Sequence, residues 1–370
     1  MSENEFQETT THSYGENVKN SFGNIIVGVL LFIGSIMILW TNEGNLANKN
    51  QMANYINKTA IPVEAAAIDK SNNNKLISTS GEATTEATLS DGIITLPKTL
   101  VLNRKVEMYQ WEENQETKTD TKMGGTTTET TTYSYEKVWS EHQIDSTKFK
   151  RTSYYNPPFP LKSQRYEAKT GKFGEYKLSD SQFKSFHSLE DYTDLPQNPK
   201  YTIYDNCYYN GNAESPKIGD IRITYSYLPS GAQISVIGVQ RADNTITPMV
   251  SKKGRIYIQY DGLLSQDELL EKFRQGNAFM ANLLRIVGFI MMFAGLNMIL
   301  GPIATLLSFI PFFSQLVSAI TGGVVFLISA VLSLTIIAVS WCFYRPLLTI
   351  GLLVIVAGLI FLIKALIKNK

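Results

Sequence analysis

The sequence predicts an α+β membrane protein with four transmembrane helices, one N-terminal and three C-terminal, and a large β-rich extramembrane domain inserted between helices 1 and 2. Three observations carry this. From Ile286 to Ile367 the chain is dominated by long apolar runs with almost no charge. A further apolar run, Asn24 to Trp40, stands near the N-terminus. Between them the hydrophobic period changes to two, the alternation of a strand with one buried face.

Residues 1–23 are polar and mostly acidic, with Glu3, Glu5, Glu8 and Glu16 against Lys19, and read as a disordered tail. Residues 24–40 form the first transmembrane helix, which a turn at either end brings to the length of about 20 residues that a hydrocarbon core requires. A cleaved signal peptide is the competing reading. Against it stand the lack of a basic region in front, the length of the run and the lack of a small-residue cleavage site before Thr41.

Residues 41–264 make the β-rich domain. Leu46, Met52, Ala53 and Ile56 first continue the helical period out of the membrane before Pro62. Lys105 to Glu112 then alternates Val106, Met108 and Gln110 with Glu107, Tyr109 and Trp111, and Thr126 to Trp139 is β-branched and aromatic, which predicts a long hairpin. Further strands are expected at Tyr201 to Tyr209, Ile221 to Tyr227, Gln233 to Gln240 and Arg255 to Tyr260, with a short helix within Ser179 to Leu189.

Ser265 and Glu268 have capping-box spacing, so residues 265–300 read as an amphipathic helix leading into transmembrane helix 2 and ending at Gly301-Pro302. Residues 301–316, uncharged and containing Pro311, are expected to form an interfacial segment. Transmembrane helices 3 and 4 occupy 317–340 and 346–367. Trp341, Tyr344 and Arg345 between them suit a headgroup boundary as interface anchors, and Pro346 suits the first turn of a helix. Four spans place both termini on one side. The lysines after the last span favour cytoplasmic tails and a lumenal or periplasmic domain.

Composition excludes several function classes. Lys+Arg 34 against Asp+Glu 33 gives +1 and no basic face for nucleic acid. The two cysteines, Cys207 and Cys342, supply no disulfide framework, and His12, His142 and His187 have no metal-ligand spacing. No phosphate-cradling loop or nucleophile elbow is present, so no catalytic residue, metal or cofactor is expected. The spans contain no acidic residue or histidine, and Arg285 and Lys364 lie near span ends, where snorkelling is the expected behaviour.

Two sets of residues remain as candidate sites. Ser318, Gly322, Ser329, Ser333 and Ser340 fall on one face of the third helix, where small side chains admit another helix. Packing against the chain's own spans is preferred there to self-association. Glu107, Tyr109 and Trp111 form a polar-aromatic strand face that suits a ligand or partner, with ordinary sheet packing as the simpler reading.

Several short stretches also resemble the transmembrane protein 43 family, also called LUMA. They are Thr41-Asn-Glu-Gly44, Val106-Glu-Met-Tyr-Gln-Trp111, Tyr133-Ser-Tyr135 with Trp139-Ser-Glu141, Gly219-Asp220 with Arg222 and Tyr225-Ser-Tyr227, Gly295-Leu-Asn297, and Phe343-Tyr-Arg-Pro-Leu347. The resemblance implies a four-span protein with a large lumenal domain. In animals it implies the endoplasmic reticulum and inner nuclear membrane, a role in nuclear-envelope organisation, and lamins and emerin as partners. For a bacterial member it implies the cytoplasmic (inner) membrane, without those partners. It supplies no catalytic residues. The chain departs from the family in its short acidic tail and its uncharged Ile303 to Gln315 segment. The resulting expectation is a multi-pass scaffold that self-associates or binds other membrane proteins in the lipid bilayer. The alternative is a membrane-anchored sensor or ligand-binding protein acting through the β-rich domain.

Overall fold

The first transmembrane segment belongs to a single helix of 46 residues, Tyr14–Thr59, in a computed structural model that describes residues 5–122, 125–251, 254–307, 311–346 and 350, with backbone only at 251, 304, 307 and 311–321. Ser13 opens this helix with a capping box: the Glu16 carboxylate accepts the Ser13 N–H at 2.7 Å and Ser13 Oγ accepts the Glu16 N–H at 3.3 Å.

The expected disordered tail is therefore corrected. Glu5–His12 is a strand at the edge of a sheet beside Thr127–Ser140, and residues 14–23 are helix. A polar segment gains order here because an unpaired sheet edge offers its backbone a partner.

By internal contacts the chain forms two units. One is β-rich, from residues 54–117 and 131–273 with the strand start up to Glu8; the other is helical, from residues 9–53, 118–130 and 274 onward. In the β-rich unit one sheet runs, in spatial order, Glu5–His12, Thr127–Ser140, Thr99–Thr121, Ile221–Pro229, Cys207–Tyr209 and Thr202–Tyr204. The second runs Tyr176–Lys177, Lys172–Phe173, Leu76–Thr84, Ala232–Gln240 and Ile246–Thr247, with Ile258–Asp261 also on Ala232–Gln240. Pro229, Ser230 and Gly231 turn the chain from one sheet into the other, and Gly231 has φ 102°, a value that suits glycine. The expected strand Tyr201 to Tyr209 is two strands, because Asp205 and Asn206 take φ of 47° and 56° and make a tight hairpin turn.

The 23-residue strand Thr99–Thr121 serves both cores. Leu100 and Val101 pack with Ile77, Phe173, Tyr176 and Ile234, while Leu102, Val106 and Met108 pack with Tyr208, Ile221, Ile223 and Tyr225. Asp91 is fixed at the edge of the second core. Its Oδ1 accepts the N–H groups of Ile93 and Ile94, both at 2.9 Å, and its Oδ2 accepts Arg104 Nη1 at 3.0 Å and the Tyr225 hydroxyl at 2.7 Å.

Burial alone would raise the Asp91 pKa. The four donors outweigh burial and hold it below the ordinary carboxylate range. Folding thus lowers this pKa, so the stabilisation is complete above the unfolded value of about 4 and is lost as pH falls through the lower folded value. Asp91→Asn is expected to flatten the acid side of the domain's stability-versus-pH curve, measured by thermal unfolding below neutral pH. An unchanged acid limb would assign that limb to other carboxylates.

The capping box of the second membrane helix forms as expected: Glu268 Oε2 accepts the Ser265 N–H at 2.8 Å, at the head of Gln266–Leu307. Two boundaries differ from expectation. Gly301-Pro302 does not end this helix, and the interfacial segment 301–316 is largely helical, with a new helix at Pro311–Tyr344. An apolar run offers the backbone no water, so helix remains the way to satisfy its peptide groups on either side of the one bond that Pro302 removes. Three helices are long and apolar enough to cross a membrane: Tyr14–Thr59, Gln266–Ile303 and Gly322–Tyr344. The expected fourth, 346–367, lies outside the described residues apart from Pro346 and Ile350.

Candidate functional site

The helical unit is built around a carboxylate that the sequence reading left out. Glu43, in the first helix, is 0% exposed. Its Oε1 accepts Arg285 Nε at 2.6 Å, and its Oε2 accepts both Arg285 Nη2 at 2.9 Å and the Trp341 indole N–H at 2.8 Å. Arg285 also donates from Nη1 to Asn282 Oδ1 at 2.7 Å, and Asn42 donates to the carbonyl of Ala281 at 2.9 Å. Three helices thus meet on one anion, with a two-pronged guanidinium fork on its oxygens. Both carboxylate oxygens are occupied, so the group acts as a tie between helices.

The neighbouring residues complete the closure. A Cβ on Gly44 would lie 2.7 Å from Tyr344 Cζ, so only glycine leaves room for that ring against the first helix. Trp40 meets Phe343 and Tyr344 edge-on at 5.2 and 6.0 Å, and Arg345 lies over the Trp341 ring at 5.9 Å. Trp341 and Tyr344, expected as headgroup anchors, therefore also hold helices together, and Arg345 caps one of those rings. Arg285 does not simply snorkel, because a buried counter-charge holds it.

The C-terminal part of the small-residue face turns inward. Ser329, Ser333 and Ser340 are buried, and Ser333 Oγ lies 3.4 Å from Met292 of the second helix. Among the described residues a Cβ on Gly322 would meet nothing within 4 Å, and the Ser318 side chain lies outside those residues. A close approach of two helix backbones lies elsewhere. A Cβ on Gly28 would sit 2.8 Å from the Gly295 carbonyl oxygen, and one on Gly295 would sit 2.8 Å from that of Gly28.

In the β-rich unit the strand of Glu107, Tyr109 and Trp111 is engaged by its own fold. Glu107 pairs with Arg222 at 2.9 Å and Lys105 at 3.2 Å. Burial alone would raise its pKa, but the hydrogen bond and charge of Arg222, with Lys105, hold it below the ordinary carboxylate range. Tyr109 packs on Trp139 at 5.1 Å, Arg222 covers Trp139 at 4.8 Å, and Trp111 meets Tyr154 at 4.7 Å under Lys137. Among the described residues no group of three or more His, Cys, Asp or Glu side chains could hold a metal.

Apolar helices exposed along most of their length, joined through a buried charge tie and carrying a β-rich domain between the first and second, define an integral membrane protein. The family model described as Transmembrane protein 43 matches residues 108–346, and the chain belongs to that family. Rat Transmembrane protein 43 is 30% identical over 356 residues, covering 90% of this chain and 87% of its own length. The human protein is 29% identical over 354 residues, with the same coverage of 90% and 87%. The Drosophila melanogaster Transmembrane protein 43 homolog is 26% identical over 364 residues, covering 94% and 95%. No solved structure matches the chain.

Proposed function

We propose that this protein is a membrane scaffold that organises membrane-protein complexes and presents its β-rich domain to partners. The observation that carries the reading is that the chain enters and leaves this domain through unbroken helices, Tyr14–Thr59 and Gln266–Leu307, each much longer than a membrane span. A domain set in the chain between two long helices suits a part that positions other molecules. The engagement of Glu107, Tyr109 and Trp111 within the sheet supports this over ligand capture by that strand. In this reading the protein catalyses nothing and carries no cofactor. Its partners are the lipid bilayer and other membrane proteins or further copies of the chain. It resides in the endoplasmic reticulum and inner nuclear membrane in a eukaryote, or in the inner membrane in a bacterium.

Purification from native membranes in gentle detergent, with mass determination and identification of co-purifying proteins, tests the reading. A discrete homo-oligomer or a stoichiometric membrane partner is expected. A lone monomer with no protein partner would overturn it.

A further inference from the structure

Within the β-rich unit a cleft of about 570 Å³ opens against the strand Leu76–Thr84. Along this edge Val63 donates its N–H to the Ser78 carbonyl at 2.9 Å, and Gly174 donates to that of Glu82 at 3.2 Å. The alternation of a strand turns the peptide groups of Ser80 to the same side, between those two bonds. Thr79, 3% exposed, also lines the cleft, and its hydroxyl has no hydrogen-bond partner among the described residues. Gln266 lines it as well: its Nε2 donates to the Asn57 carbonyl at 3.4 Å, and its buried Oε1 has no partner among them either. Glu64 and Glu82 add exposed carboxylates, neither of which forms an ion pair among the described residues, and no described lining residue is a lysine, arginine or histidine.

We propose that this cleft binds the ammonium head of a small aliphatic amine. Buried polar atoms in folded proteins are paired, so an orphaned hydroxyl and an orphaned amide oxygen on one lining point to a polar group that the cleft takes up. An ammonium supplies three N–H donors and no acceptor. The lining offers the complement: the Gln266 and Ser80 carbonyl oxygens, the Thr79 hydroxyl and two carboxylates, with no described cation to compete. An anionic ligand would meet acceptors with acceptors. Pro62, Val63, Ala65 and Leu264 on the same lining give the methylenes of the amine an apolar wall. The proposal does not depend on the scaffold reading, because a monomer and an assembly would carry the cleft alike.

The test titrates butylammonium chloride and tetramethylammonium chloride, by calorimetry, into the full chain in phosphatidylcholine nanodiscs. Both ions have four carbons and one positive charge, but only butylammonium carries N–H donors. Butylammonium is expected to bind about tenfold more tightly, the worth of hydrogen bonds to a charged group. Glu64→Gln/Glu82→Gln should weaken its binding about fivefold, by removing two exposed charge interactions. Thr79→Val should weaken it as well and raise the thermal midpoint of the amine-free protein, because it removes a buried hydroxyl that has no partner. If Thr79→Val does not fold, the glutamine pair, at exposed positions, decides. No saturable binding of butylammonium, equal binding of the two ions, or wild-type binding in the folded variants would overturn the proposal.

Discussion

Glu43→Ala is expected to destabilise the helical unit by about 3 to 5 kcal/mol, the cost of removing one partner from a buried ion pair. The substitution leaves the Arg285 guanidinium, whose side chain is only 26% exposed, without its counter-charge and takes the acceptor from the Trp341 indole N–H. A large drop in the thermal midpoint in detergent, followed by fluorescence-detected size exclusion, is the expected readout. Trp341→Phe removes a single donor to a charged acceptor and should cost less, about 1.5 to 3 kcal/mol. Glu43→Leu with Arg285→Met should recover much of the loss, because a matched apolar pair leaves no stranded charge. A wild-type midpoint in Glu43→Ala would show that the tie does not hold the helices.

Gly295→Leu is expected to separate the first two membrane helices. Its Cβ would lie 2.8 Å from the Gly28 carbonyl oxygen and 2.8 Å from the Phe32 nitrogen, and neither backbone atom can rotate away as a side chain would. The cost should reach or exceed the upper end of ordinary overpacking, about 3 kcal/mol, with loss of the monodisperse folded species. Gly322→Leu is the control, since no described residue lies within 4 Å of the added Cβ. Its effect should stay within about 0.5 kcal/mol. Equal behaviour of the two variants would remove the Gly28–Gly295 contact as the determinant of helix packing.

The sequence was most legible where one local pattern decides the outcome. Uncharged apolar length identified three membrane helices, and alternation around Val106 and Met108 identified the central strand, with both side chains buried as the period requires. The N-terminal strand was illegible because its order comes from main-chain pairing at a sheet edge. Even so, Ser13 and Glu16 carried a capping box at the same spacing as Ser265 and Glu268. Leu76–Thr84 was missed because Ser78 and Thr79 are buried beside Leu76 and Ile77, so no polar face alternates with an apolar one. The carboxylate tie was illegible for a different reason. Thr41-Asn-Glu-Gly44 and Phe343-Tyr-Arg-Pro-Leu347 were visible as separate motifs, but local periodicity does not show that they meet.

That meeting also sets an order of events in the making of the protein. Glu43 is separated from Arg285 by 242 residues and from Trp341 by 298. At a synthesis rate of about 5 to 20 residues per second, the carboxylate waits roughly 15 to 60 seconds for its last donor to be translated. Through that interval the first helix must remain inserted with the Glu43 carboxyl still without its partners, and the intervening domain has time to fold first. Closure of the helical unit is therefore a late step, timed by the ribosome's arrival at the third helix.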